Sequence, residues 1–281
     1  MNSIIEEYKM WLELQGKSKN TLKTYTIPTK KFLEYISNLF SKNDLDSNFL
    51  RENLNKNLIL KFLAEIKTKK NLDPNSLRLY IRAISSFLKF LDRPDIIKDI
   101  KVPKVDKRLP KYITIEDFNR LISLVKKRRD RLILLLLFYT GVRVSELVNL
   151  KKEDILIKEG FIKVYGKGGK ERMIPIPKFL IGELVDYINS IKDEKLFNIS
   201  TRQVERIVKK YSKLANINKK VTPHVLRHSL ATMLLSNGVD IRYIQELLGH
   251  SSLSITQIYT HVIPSKLKEI YEKVFENINI T

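Results

Sequence analysis

Between Lys98 and Tyr112 the helical pattern of this chain stops. The run Lys98-Asp-Ile-Lys-Val-Pro-Lys-Val-Asp-Lys-Arg-Leu-Pro-Lys-Tyr112 holds two prolines and six basic residues, with no apolar stripe at helical spacing. Such a composition favours an extended, self-repelling connector over a packed element. It sets a linker at 99–112 and divides the 281 residues into an N-terminal domain, 1–98, and a larger C-terminal domain, 113–281. With 43% hydrophobic residues, each part has apolar side chains enough for a core of its own.

The N-terminal part reads as a helical bundle. Ile4, Ile5, Tyr8, Trp11, Leu12 and Leu14 open an amphipathic helix that ends near Gly16. A second starts at Ser18, with Leu22, Tyr25, Phe32, Leu33 and Ile36 as its apolar positions; Pro28 is expected to interrupt or kink it. Leu58–Ile66 makes a third. Asn75–Leu91 makes a fourth, with Leu79, Ile81, Ile84, Phe87, Leu88 and Leu91 as its stripe.

The C-terminal part opens with Thr114 as a cap before an acidic first turn. Arg129–Tyr139 is apolar all round from Leu132 to Phe138, as a buried helix is, and that run is too short to cross a bilayer. A short helix over Val142–Leu150 turns Val144, Leu147, Val148 and Leu150 to the core. It leaves Arg143 and Glu146, three apart, on another face. Phe161–Tyr165 and Arg172–Pro177 pair as a β-hairpin around a basic tip, Gly166–Lys170, which lacks the spacing of a phosphate-binding P-loop. Helices follow at Thr201–Leu214, His224–Leu235, Asp240–Leu248 and Ser254–Ile263. Pro264 starts a last one, with the stripe Leu267, Ile270, Tyr271, Val274 and Phe275. The expected fold class is mainly α with a small antiparallel β-sheet.

Fifty-two basic residues against 31 acidic leave a net charge of +21, and both parts of the chain carry the excess. A polyphosphate partner, a nucleic acid, suits that balance better than a merely solubilising basic surface, because each Lys or Arg that meets a phosphate releases condensed counterions. Lys17, Lys19, Lys23, Arg78 and Arg82 are the candidate phosphate contacts of the first domain. Arg202, Arg206, Lys209 and Lys210 line the outer side of the Thr201–Leu214 helix. The absence of Cys excludes a disulfide framework and thiolate chemistry, and Glu6 and Glu7 break any secretory signal pattern. The expectation is a cytoplasmic protein with no membrane attachment.

All four histidines, His224, His228, His250 and His261, lie in one stretch near the C-terminus. His224 and His228 are four apart on a helix, as metal ligands can be. Yet the Glu of a His-Glu-x-x-His motif is missing and Arg227 between them repels a cation. No metal and no other cofactor is expected. The cations Arg143, Lys167, His224, Arg227 and His250 suit instead the charge that builds up on a phosphate oxygen during transfer. Tyr259 is close in sequence to the last of them. Its hydroxyl, with an ordinary pKa of about 10, attacks phosphorus only if its proton is taken and the phosphate is polarised.

Thr140-Gly-Val-Arg143-Val-Ser-Glu-Leu, the tip Gly166-Lys167-Gly, His224-Val-Leu-Arg227-His, Leu248-Gly-His250 and Tyr259 resemble, in this order, the motifs of the tyrosine recombinases. The pattern is most similar to the Xer branch in its archaeal form, and no catalytic position departs from it. The resemblance implies an N-terminal helical, SAM-like core-binding domain followed by a catalytic domain. It implies that Arg143 and Arg227 clamp the scissile phosphate and that Tyr259 is the nucleophile. Lys167 would protonate the leaving 5′ oxygen, His224 accept the tyrosine proton, His250 donate to the phosphate, and Glu146 orient Arg143 and His224. It further implies ATP-independent strand exchange in a homotetramer on two DNA sites, with the helix after Pro264 docked on a neighbouring protomer; packing on its own domain is the alternative. Chromosome-dimer resolution is the expected role. Mobile-element integration, a type IB topoisomerase-like activity and a non-catalytic DNA-binding protein are the other readings.

Overall fold

The computed structural model of the chain describes residues 2–98, 100, 112–166, 171–249 and 263–275, with the side chains of 2, 70 and 263–266 left aside. It divides into two compact units, Met1–Arg108 and Leu109–Thr281. Of the expected linker at 99–112, only 100 and 112 fall among the described residues.

The first unit is helical throughout: α1 (Asn2–Leu14), α2 (Lys19–Phe40), α3 (Ser47–Asn53), α4 (Lys56–Lys70) and α5 (Pro74–Phe90). Side-chain oxygens set the starts. Ser18, Asp46, Asn55 and Asp73 each accept a hydrogen bond from a backbone N–H of the following first turn. The buried residues of α5 are Tyr80, Ile81, Ala83, Ile84, Phe87 and Leu88; Leu79, expected among them, is only half-buried, and Tyr80 is buried beside it. α5 packs along α2, and Tyr8 of α1 meets Phe87 edge-on at 5.2 Å between ring centroids. Pro28 does not interrupt α2, which runs unbroken through it with Pro28 itself buried. A missing N–H costs roughly 3 kcal/mol; burying Leu22, Phe32, Leu33 and Ile36 on either side outweighs it.

The second unit is built around α7 (Arg128–Tyr139). Every residue from Leu132 to Tyr139 is at most 1% exposed. Around it pack α6 (Ile115–Ser123), α8 (Val144–Leu147), α9 (Lys178–Ser190), α10 (Thr201–Leu214) and α11 (Pro223–Ser236). Three antiparallel strands form a meander, β1 (Ile155–Leu156), β2 (Phe161–Tyr165) and β3 (Glu171–Pro175), with Ile162 opposite Ile174 and Val164 opposite Arg172. α12 (Ile241–Leu248) and α13 (Ile263–Phe275) complete the described elements. The fold is mainly helical with one small antiparallel sheet, as expected. The helix expected over Val142–Leu150 contracts to the four residues of α8. Leu214, the last residue of α10, is 55% exposed. The helix expected over Ser254–Ile263 falls outside the described residues except for its last position.

In this single chain α13 packs on its own domain; the expected docking on a neighbouring protomer belongs to the assembly on DNA. Leu267, Tyr271 and Phe275 are buried in the core of the second unit, where Phe275 meets Tyr139 edge-on. A stripe of that size has to be covered, and with no neighbour present its own core covers it. Tyr271 Oη donates to the carbonyl of Tyr139 at 3.1 Å, and Lys268 Nζ donates to the carbonyl of Glu159 at 2.6 Å. Tyr271→Phe is therefore expected to lower the stability of the second unit by about 1 kcal/mol, the scale of one buried hydrogen bond. Urea unfolding of the full chain followed by circular dichroism checks this; an unchanged midpoint would mean that the bond contributes nothing.

Candidate active site

The end of α7 decides where Arg143 stands. Thr140 closes the helix and Gly141 follows at φ +60°, the left-handed region that favours glycine. A Cβ on Gly141 would also lie 2.9 Å from Leu230 Cδ2 and from Leu248 Cδ2. Only glycine lets α7, α11 and α12 approach so closely, and the tight turn delivers Arg143 as the residue that caps α8.

Glu146, in the first turn of α8, faces back onto that cap. Its Oε2 accepts from the Arg143 backbone N–H at 2.8 Å, and its Oε1 accepts from Arg143 Nη1 at 2.8 Å. Arg172, from β3, then grips the same carboxylate with two parallel bonds, Nη1 to Oε1 and Nη2 to Oε2, each 2.8 Å. Four donors fill the carboxylate. None of them is His224, which lies exposed in the first turn of α11; the second side chain on the carboxylate is Arg172.

Arg172 is the site residue that reading the sequence missed. A signal was present: it is in phase with Ile174 and opposite the buried Val164, and directly opposed residues of a sheet point to one side. A charged residue at a core-facing strand position needs a partner.

The C-terminal end of α12 gathers the three guanidinium groups. Arg172 Nε donates to the carbonyl of Leu247 at 3.0 Å. Arg143 Nη2 donates to those of Leu248 and Gly249 at 3.1 and 2.7 Å. Arg227, 6% exposed in α11, donates to the carbonyls of Gly141 and Leu248. One oxygen, the Leu248 carbonyl, thus takes N–H groups from both Arg143 and Arg227. Of each arginine's five N–H donors, the bonds among the described residues use three on Arg143 and two on Arg227.

The electrostatics follow from this crowding. Burial by itself would raise the Glu146 carboxyl, but the bonds from Arg172 and Arg143 outweigh it and bring its pKa down to about 2. Burial, with Arg143 and Arg172 close by, lowers Arg227 to about 10, which still leaves it charged at neutral pH. His228, half-buried one turn beyond His224, is lowered by burial and then by His224.

Of the remaining candidates, Lys167, His250 and Tyr259 lie outside the described residues, as does His261. Lys17, Lys19, Lys23, Arg82, Arg202, Arg206, Lys209 and Lys210 are exposed, and Arg78 is half-buried. No group of three or more His, Cys, Asp or Glu that could hold a metal occurs among the described residues.

Glu146 makes stability depend on pH in a set direction. A carboxyl whose folded pKa lies below its unfolded value stabilises above the unfolded value and loses that contribution as pH falls. For Glu146 the contribution is present at neutral pH and fades between about 4.5 and about 2. Glu146→Gln is expected to cost about 3–5 kcal/mol near neutral pH, as removal of one partner from a buried ion pair does. The gap between variant and parent should narrow as acid protonates the native carboxyl. Urea unfolding of both proteins at a series of pH values checks it, and a gap that stays constant across the acid range would refute the assignment.

Comparison with known proteins agrees with this geometry. Residues 111–266 match the model of the phage integrase family. The tyrosine recombinase XerA of Thermococcus kodakarensis is 42% identical over 97% of this chain and 95% of its own length. The tyrosine recombinase XerD of Staphylococcus epidermidis is 36% identical over 96% of this chain and 98% of its own. Among solved structures, the XerH site-specific recombinase bound to difH substrate in a pre-cleavage complex superposes with a TM-score of 0.68 at 26% identity. That match covers 88% of this chain and 78% of the other. The chain belongs to the phage integrase family, as one of its Xer-type tyrosine recombinases, enzymes that cut and rejoin DNA at specific sites.

Proposed function

We propose that this chain exchanges strands between two copies of one DNA site through a covalent 3′-phosphotyrosine on Tyr259, and that it serves to resolve chromosome dimers in the cytoplasm. The observation that carries the reading is the shared acceptor. Arg143 and Arg227 both reach a single oxygen, that of Leu248, which holds the two cationic forks side by side with N–H donors to spare for the non-bridging oxygens of a phosphate. Such a clamp stabilises the transition-state charge without rearranging when the reaction occurs.

In this reading the Tyr259 oxygen attacks phosphorus while the bond from phosphorus to the 5′ oxygen breaks. His224 takes the tyrosine proton, Lys167 gives a proton to the departing 5′ oxygen, and His250 donates to the phosphate. One phosphoester forms as one is lost, so the 5′ hydroxyl of another strand reverses the step and needs no ATP. The positive charge comes from arginine, lysine and histidine, a donor set that performs this chemistry without a metal or other cofactor.

Residues 1–98 act as the core-binding domain, with Lys17, Lys19, Arg78 and Arg82 on phosphates. Arg202 and Arg206 face the duplex from α10, and the basic linker 99–112 lets the two domains close around DNA. The working assembly is a homotetramer on two sites. There α13 leaves its place beside Tyr139 and docks on the next protomer, which couples each Tyr259 to the presence of its neighbours. The integration of a mobile element uses the same chemistry; the full-length similarity to Xer proteins supports the chromosomal role.

Tyr259→Phe is expected to abolish the covalent protein–DNA adduct while leaving binding unchanged. Arg227→Ala should keep binding and lose about 10²–10³-fold in cleavage, the scale of one lost transition-state donor. Denaturing gels on a nicked site read both, and an adduct formed by Tyr259→Phe would remove Tyr259 from its role. Adduct formation should also persist in a chelator, whereas binding should weaken steeply as salt rises. Cleavage that stops with EDTA and returns only with a divalent ion would refute the proposed chemistry.

A further inference from the structure

Arg172 joins three pieces of the site that are far apart in sequence. Its side chain, only 12% exposed, lies second in β3, just beyond the hairpin tip at 167–170. From there it spans both oxygens of Glu146 on α8 and the last-turn carbonyl of Leu247 on α12. Gly249 turns directly over it: a Cβ there would lie 3.2 Å from Arg172 Nη1 and 3.3 Å from its Cδ and Nε. The chain leaves Gly249 for His250, and Glu146 in turn carries Arg143. Arg172 therefore ties β3, the Glu146–Arg143 pair and the end of α12 together.

We propose that Arg172 is a positioning residue whose planar fork locks the hairpin, the Glu146–Arg143 pair and the end of α12 into one register, so that Arg143 is aimed at the phosphate only while β3 is docked. This rests on the reading of Arg143 as a phosphate ligand. Lysine cannot replace it. An ammonium group supplies the charge, but it cannot bond both carboxylate oxygens in parallel and a backbone carbonyl beyond them. Without the fork, Glu146 still faces Arg143 and Arg227 but is free to rotate, and Arg143 moves with it. A displacement of about 1 Å at a reacting centre costs on the order of 10²-fold in rate.

The test uses the full chain and nicked duplexes enriched from a random-sequence pool by binding to the unaltered protein. Affinity and the single-turnover rate of adduct formation are measured for the parent, Arg172→Lys, Glu146→Gln and the double variant. Arg172→Lys should bind these duplexes as the parent does and form adduct about 10–100-fold more slowly. Because Arg172 acts through Glu146, the double variant should be no slower than the slower single variant. Arg172→Gln serves as a second variant with the same expectation. An Arg172→Lys protein that cleaves at the parental rate overturns the proposal, as do two losses that multiply in the double variant. Loss of binding and of the thermal transition together in both Arg172 variants would assign the residue to folding alone, which also overturns it. A parent that binds the enriched duplexes and never forms an adduct would refute the cleavage reading itself, a result distinct from either.

Discussion

The buried carboxylate of Glu146 is the interaction on which the site depends. It is 8% exposed and stays ionised only because four donors from Arg143 and Arg172 surround it. That arrangement also tethers α8 to β3. Substitution of Glu146 would leave Arg143 and Arg172 without their shared partner, so the cluster acts as a constraint on the fold as well as on the site.

One carboxylate faces three guanidinium groups, a surplus that would be costly if nothing else answered it. The C-terminal end of α12 does so. The carbonyls of Leu247, Leu248 and Gly249 all accept from these arginines, and the negative end of a helix dipole favours cations there. The positive charge that remains suits an anionic group. Stability and function thus draw on the same groups: the carbonyls hold the arginines in place, and N–H donors not used by those bonds are left for a ligand.

α13 shows a second coupling. Its stripe completes the core of the catalytic unit around Tyr139, so any assembly that takes the helix elsewhere must first release Leu267, Tyr271 and Phe275 from that core. The polar latches of Lys268 to Glu159 and of Lys178 to Glu272 at 3.1 Å add little in water. Apolar burial is the larger barrier, and only an equally apolar site on another protomer would offset it.

Much of this was legible in the residues because it is local. Ser18 and Thr114 start their helices where their side chains cap them, and the all-round apolar run from Leu132 marked the central helix. The short α3 escaped notice because Leu50 is its one buried side chain and a single residue has no period. Pro28 misled because a backbone rule was outweighed by packing on both sides of it. The pairing of Arg143 with Glu146 was legible too, since helical spacing puts residues three apart on one face. What tertiary structure alone decided are contacts between distant positions. Arg172 reaches Glu146 across 26 residues, Arg143 reaches Gly249 across 106, and Tyr271 reaches Tyr139 across 132. No spacing rule links such residues; they meet because α7 is buried on every side and the elements that carry them pack into one core around it.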